Sequence, residues 1–272
     1  MLLSSSASTR EQKDTNQPYS SSPLVASGQL DSDENIYMSG RPMHLAGIAL
    51  WAFGLGTSLG SSLIALVLVR LWTPHSPHWR LAFYGLTLSA FHFLEFWTTA
   101  RYNTRAASVK SFVPTGNLLV YLVAHTFAFL ECLIYRLIYF TGRFKPFPGP
   151  PITVVVGLPL VIGGQLVRTL AIIHAGPSFR GSKQNRTKGG RVLVTTGIYS
   201  VLRHPSYFGF FWWAIGTQLV LGNTFSFFGF VLVLWSFFAG RVRREEESMD
   251  RSFGKTYQAY RKRVWTMMPF IG

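Results

Sequence analysis

The chain has 272 residues and a formal net charge of +15, yet only 14% of it is charged, well under the roughly 25% of an ordinary soluble domain. Apolar residues make up 48% and aromatics 15%, and between Asn35 and Arg244 the only acidic residues are Glu95 and Glu131. A water-soluble fold cannot cover its surface so sparsely, and the single cysteine, Cys132, excludes an intramolecular disulfide or a multi-cysteine zinc site.

Residues 1–41 are rich in Ser, Asp and Asn, show no apolar period or signal peptide, and read as a disordered tail. Six apolar stretches follow, at 43–72, 79–99, 112–140, 152–174, 205–221 and 224–240. A helical crossing takes roughly 20 apolar residues over a hydrocarbon core about 30 Å thick. The first stretch carries Gly56 and Gly60, spaced for close helix packing. In the fifth, Gly209 and Gly216 share a helix face and permit the same. The last two stretches are short and joined by Gly222-Asn223, so they read as a tight helical hairpin. The expected fold is all-α: a polytopic integral membrane protein of about six transmembrane helices. Helices one to four fall within 42–174, and a region at 175–272 holds a loop, the hairpin and a cytosolic C-terminal helix.

Acids inside a membrane are costly unless paired, which marks Glu95 and Glu131. His92 shares a helical face with Glu95, and Arg136 and Arg168 are candidate partners for Glu131. Structural pairing is the expected role of both acids.

Basic residues set the orientation. With six spans and a cytosolic N-terminus, one side receives Arg101, Arg105, Lys110, a 175–204 loop with Arg180, Lys183, Arg186, Lys188, Arg191 and Arg203, and the tail from Arg241 to Arg263. The other side receives only Arg70, Arg80, Arg143 and Lys145. The positive-inside rule puts the loop and the tail in the cytosol. Topology and attraction to anionic lipid account for most of this charge. No nucleic-acid recognition module is readable.

The densest polar signal flanks the hairpin. Before it stands Arg203-His204-Pro205-Ser206-Tyr207. Pro205 suits the first turn of a helix, and the residue before proline is pushed out of the α region, so His204 should sit at the helix entrance. Free N–H groups there suit an anionic ligand group. An interfacial anchor with Tyr207 in an aromatic belt uses the same residues. After the hairpin stands Arg241-Val242-Arg243-Arg244-Glu245-Glu246-Glu247. Arg241 and Glu245 share a helix face, and a solvated charge run is the alternative. Glu246 and Glu247 are the comparison: a surface run would make all three glutamates alike. The hairpin brings both flanks to one membrane edge.

These residues resemble the hallmark of the isoprenylcysteine carboxyl methyltransferase family. The likeness runs through Arg203-His204-Pro205-Ser206-Tyr207-Phe208-Gly209, then Trp213, Gly216-Thr217-Gln218 and Asn223. It continues through Arg241, Glu245-Glu246, Phe253-Gly254, Tyr257, Tyr260 and Pro269-Phe270-Ile271. It covers residues 171–272, with a fainter echo at Phe91-His92 and Glu95-Phe96. Thr224 departs from the family's usual proline, and the stretch after Ser111-Phe112 lacks the expected Asn-His-Ser run. The shorter Arg-His-Pro-x-Tyr-x-Gly core is similar to a wider group that includes phospholipid N-methyltransferases and sterol reductases. A transporter or lipid-binding scaffold is the non-enzyme alternative.

The resemblance implies S-adenosylmethionine as cofactor, S-adenosylhomocysteine as product and no metal. It maps cofactor contacts onto Gln184, Arg191, Val192, Leu193, Val194, Tyr199, His204, Pro205, Ser206, Tyr207 and Glu245. It maps Arg241 onto the residue that positions the substrate carboxylate. The implied partners are prenylated proteins or peptides and membrane lipid, and the implied location is the endoplasmic reticulum membrane. It leaves the oligomeric state open. Tyr199 and Tyr207 are candidates to face the sulfonium.

Overall fold

The computed structural model describes residues 44–113, 118–140, 151–179 and 192–267. The tail at 1–41 lies outside them. The described residues form α1 (Leu45–Trp72), α2 (Trp79–Tyr102), α3 (Leu118–Phe140), α4 (Pro151–Ala175), α5 (Pro205–Leu221), α6 (Thr224–Phe253) and α7 (Lys255–Arg263). Short 3₁₀ turns fill several connections, and β character among the described residues is confined to one bridge, Leu202 to Trp265. The all-helical expectation therefore holds.

Four helices, α1, α3, α4 and α6, are long and apolar enough to cross a membrane. They expose Leu50, Phe53, Leu119, Val123, Ile162 and Leu232, as a lipid-facing surface does. The other two apolar stretches take interior positions. α5 has only 17 residues and is enclosed nearly all round, with Trp213, Val220 and Leu221 buried. α2 buries a polar face that includes His92, Glu95, Thr98 and Thr99.

Membrane helices gain little from hiding apolar surface against one another, so close approach of backbones matters more. Helices α4 and α5 pack through two pairs of glycines, each pair seven residues apart. A Cβ on Gly164 would lie 2.5 Å from the Trp213 nitrogen and 2.6 Å from the Gly209 oxygen. One on Gly216 would lie 2.8 Å from the Gly157 oxygen. The expectation for Gly209 and Gly216 is met. That for Gly56 and Gly60 is not, because among the described residues nothing lies within 4 Å of a Cβ built on either. Helix α1 meets α2 elsewhere, with Ser89 Oγ donating to Ser58 Oγ at 2.8 Å and Ser62 set against Gly85. Small residues make a contact only where the partner's register presents a matching face.

The α5–α6 turn is sealed by charge. Gly222 adopts a left-handed conformation with φ 71°, a region that favours glycine. The Leu221 carbonyl accepts from Arg80 Nη1 and Arg136 Nη2, both at 3.1 Å. Glu131 accepts from the N–H groups of Phe225 at 2.9 Å and Ser226 at 2.7 Å, and from Ser226 Oγ at 2.6 Å. Asn223 Nδ2 donates to the Ala128 carbonyl and to Gln218 Oε1, each at 2.9 Å. Cations thus meet the C-terminus of α5 and an anion meets the N-terminus of α6, matching both helix dipoles. This corrects the expected pairing of Glu131 with Arg136 or Arg168: its partners include two N–H groups and a hydroxyl at a helix start.

Candidate active site

Two helix ends meet at the opposite end of the hairpin. His204 has φ −124° and ψ 58°, outside the helical region, and Pro205 opens α5 as expected. The carbonyl of His204 accepts from the N–H groups of Tyr207 and Phe208, both at 3.1 Å. Helix α6 runs past the end of its apolar stretch and carries Arg241 and Glu245 one turn apart.

Three side chains close a triangle there. Arg241 Nε donates to Glu245 Oε1 at 3.0 Å and to the Tyr207 hydroxyl at 3.2 Å. Tyr207 in turn donates to Glu245 Oε1. The Arg241 side chain is 51% exposed and that of Glu245 32%, so a ligand can reach both. Among the described residues, only Nε of Arg241 is engaged in these bonds, which leaves its terminal nitrogens for an incoming anion. The Tyr207 ring stacks with His204 at 5.7 Å and Phe238 at 5.0 Å. Tyr207 is therefore held on its faces, and its hydroxyl is the group it presents to the cluster.

His204 stands between two carboxylates. Its Nδ1 is 3.8 Å from Glu245 Oε2, and its Nε2 is 3.3 Å from Glu246 Oε1. The chain's own acids thus stand where an anionic ligand group was expected beside the helix start.

Glu246 is the residue that reading the sequence missed. It is buried, and it also contacts Arg203 Nη2 at 3.1 Å and Arg261 Nε at 3.5 Å. Glu247 is the surface charge, 53% exposed and 3.5 Å from Arg243. The signal was available: Phe238, Val242 and Glu246 recur every four residues, and all three are buried on one face of α6.

Behind the cluster lies a buried ion pair. Arg168 Nε donates to Glu95 Oε1 at 2.7 Å and its Nη2 to Glu95 Oε2 at 2.8 Å, a two-point grip. The same guanidinium holds the Ser206 carbonyl at 3.0 Å and its hydroxyl at 2.5 Å. Ser206 therefore faces inward and links α2, α4 and α5. This again corrects the expected partners, since Arg168 pairs with Glu95 rather than Glu131. His92 bonds the Phe112 carbonyl through Nδ1 at 2.6 Å and the Tyr121 hydroxyl through Nε2 at 2.8 Å.

The remaining described candidates lie on the segment that leads into α5. Val192, Leu193 and Val194 are non-helical, with Val192 exposed and Leu193 packed on Tyr257, Tyr260 and Val264. The Tyr199 hydroxyl donates to the Ala171 carbonyl at 3.2 Å, so that group is committed to α4. Tyr260 donates to the Tyr199 carbonyl at 2.6 Å, and burial pushes the Tyr260 phenol up to about 12. Arg203 ties the strip down through its N–H to the Trp265 carbonyl and its Nη1 to the Arg261 carbonyl, both at 3.0 Å. Gln184 and Arg191 lie outside the described residues.

A sequence model of the isoprenylcysteine carboxyl methyltransferase (ICMT) family matches residues 155–251. The chain is 38% identical over 240 residues to the protein-S-isoprenylcysteine O-methyltransferase of Saccharomyces cerevisiae, which covers 88% of this chain and 97% of the yeast protein. The chain belongs to the isoprenylcysteine carboxyl methyltransferase family. The Xenopus laevis protein of the same description is 35% identical over 224 residues, 82% of this chain and 74% of that one. The fold agrees. A solved structure described as the eukaryotic intramembrane Ras methyltransferase ICMT superposes with a TM-score of 0.71 at 32% identity, covering 83% of this chain and 77% of that one. Membership of this family, together with the apolar helices, makes the protein an integral membrane protein.

Proposed function

We propose that this chain transfers a methyl group from S-adenosylmethionine to the C-terminal α-carboxylate of a prenylated cysteine, giving a methyl ester and S-adenosylhomocysteine. The observation that carries this reading is the triangle of Arg241, Tyr207 and Glu245, half open to solvent where α6 leaves its apolar stretch.

The groups present fit both reactants. A terminal carboxylate has a reference pKa of roughly 3.5 and is ionised at neutral pH, so the nucleophile needs orientation more than a general base. The planar fork of Arg241 grips a carboxylate at two points, positioning it without taking its charge away. Glu245 accepts hydrogen bonds from hydroxyl or amino groups, which a nucleoside and an amino acid both carry. When bound, S-adenosylmethionine supplies an electrophilic methyl group on a sulfonium. Val192, Leu193, Val194, Tyr199, His204, Pro205 and Ser206, with Gln184 and Arg191, belong to the methyl-donor site by resemblance, Ser206 and the Tyr199 hydroxyl being held inward to Arg168 and α4.

The membrane has a role in this chemistry. Each buried CH₂ of a lipid chain contributes roughly 0.8 kcal/mol, so drawing a prenyl group into water is costly. A site at the bilayer edge avoids that step. By this reading α2 and α5 bring the membrane helices to six, the loop at 175–204 and the segment after Gly240 face the cytosol, and the enzyme sits in the endoplasmic reticulum membrane. Residues 175–272 form the catalytic region, and residues 1–35 of the tail are dispensable for chemistry.

Labelled methyl from S-adenosylmethionine should appear on N-acetyl farnesylcysteine as a base-labile ester. Label only on phosphatidylethanolamine would instead assign a phospholipid N-methyltransferase. Asn185→Cys and Lys262→Cys in a Cys132→Ser background should both react with an impermeant reagent from the cytosolic side. Reaction from opposite sides would overturn the topology.

A further inference from the structure

A carboxylate only accepts hydrogen bonds, so the 3.3 Å contact between His204 Nε2 and Glu246 Oε1 assigns an imidazole proton to Nε2. In the neutral ring Nδ1 is then a bare acceptor. It stands 3.8 Å from Glu245 Oε2, a second acceptor and too far for a direct hydrogen bond. Two acceptors this close are reconciled either by a second proton on the ring or by a group that carries two N–H bonds and sits between them; the seat requires the neutral ring. The arrangement is rigid on one side only. Glu246 is buried and bridged to Arg203 at 3.1 Å and Arg261 at 3.5 Å, and the His204 ring is stacked on Tyr207. Glu245 is part-exposed and free to adjust to a ligand.

We propose that Glu246 is a positioning residue: by taking the Nε2 proton it leaves His204 Nδ1 and Glu245 Oε2 as a two-acceptor seat for an amino or ammonium group of the bound methyl donor. This rests on the reading under Proposed function and names the group that the seat takes. The competing account makes Glu246 only an anchor that holds the C-terminal segment through Arg261.

Two measurements on the full chain in detergent decide between them. The first needs no methyl donor. With isotope-labelled histidine, the His204 signal, assigned by its loss in His204→Gln, should show the Nε2–H form in the ligand-free protein. An Nδ1–H form, or an imidazolium with protons on both nitrogens, would overturn the proposal. The second is titration calorimetry with S-adenosylhomocysteine. Glu246→Gln should weaken binding about tenfold. Combining it with His204→Gln should add nothing beyond His204→Gln alone, because the two residues act as one unit. Arg261→Gln should lower the melting temperature and leave binding within about twofold. Additive losses in the double variant, or a loss in Arg261→Gln equal to that in Glu246→Gln, would make Glu246 an anchor and defeat the proposal. Wild-type protein that binds no S-adenosylhomocysteine would refute the methyl-donor reading and the seat's occupant, while the tautomer measurement would still test what Glu246 does to His204.

Discussion

The two ends of the α5–α6 hairpin use the same residue types to opposite effect. At the turn, Arg80, Arg136 and Glu131 are buried and spend their charge on backbone groups, the Leu221 carbonyl and the N–H groups of Phe225 and Ser226. At the open end, Arg241 and Glu245 are part-exposed and bond side chain to side chain. A backbone group cannot leave its helix, so the turn has one arrangement. A side-chain pair can exchange partners with a ligand. On the proposed function, the difference separates charge that holds a fold from charge that handles a reactant.

The sharpest way to probe that contrast is Arg241→Lys, which keeps the charge and loses the planar grip. Methyl transfer to N-acetyl farnesylcysteine should fall about a hundred- to thousand-fold, the usual cost of one positioned donor. Binding of S-adenosylhomocysteine should stay near wild type in calorimetry, and a binding loss as large as the rate loss would remove the carboxylate role. Next in size is Glu245→Gln. A hydrogen bond to a charged group is worth roughly 1.5–3 kcal/mol, so affinity for S-adenosylhomocysteine should drop about ten- to a hundredfold. Glu247→Gln should change nothing measurable, and equal losses at both positions would return the run to a surface role.

At the turn end the expected effect is on stability alone. Glu131→Gln weakens the acceptor for three donors and should cost about 1–3 kcal/mol, read as a lower melting temperature. The Michaelis constant for the methyl donor should not move, and if it did, the two ends would not be separable. Of similar size, and again on stability alone, is the helix-packing pair. Gly164→Ala pushes a methyl into the backbone of α5 and should cost about 1–3 kcal/mol, whereas Gly60→Ala enters open space and should be silent.

Contacts within one helix, or across one short turn, were legible in the sequence. The Arg241–Glu245 pair, the helix start at Pro205, the glycine face of α5 and the hairpin itself all follow from spacing and backbone preference. Pairings between helices were not. Arg168 was matched with Glu131 when its partner is Glu95, because spacing says nothing about the register of α2 against α4. Glu246 was grouped with its exposed neighbours because three glutamates in a row look alike until the Phe238–Val242 stripe is extended one more turn. The stretch holding Gln184 and Arg191 lies outside the described residues, so for them the resemblance alone speaks.

The length of α5 has a consequence of its own. At 1.5 Å per residue its 17 residues cover about 25 Å, short of a hydrocarbon core about 30 Å thick. If Pro205 stands at the near boundary, the turn at Gly222-Asn223 stops beneath the far surface, where Arg80, Arg136 and Glu131 would satisfy its backbone in place of water. On that placement, sealing the turn would give the protein a preferred membrane thickness. Thicker bilayers must thin around the turn, at a fraction of a kcal/mol per ångström of mismatch. In lipids of graded acyl length, activity should peak in the thinner bilayers, and the enzyme should favour membranes of that thickness over stiffer, thicker ones.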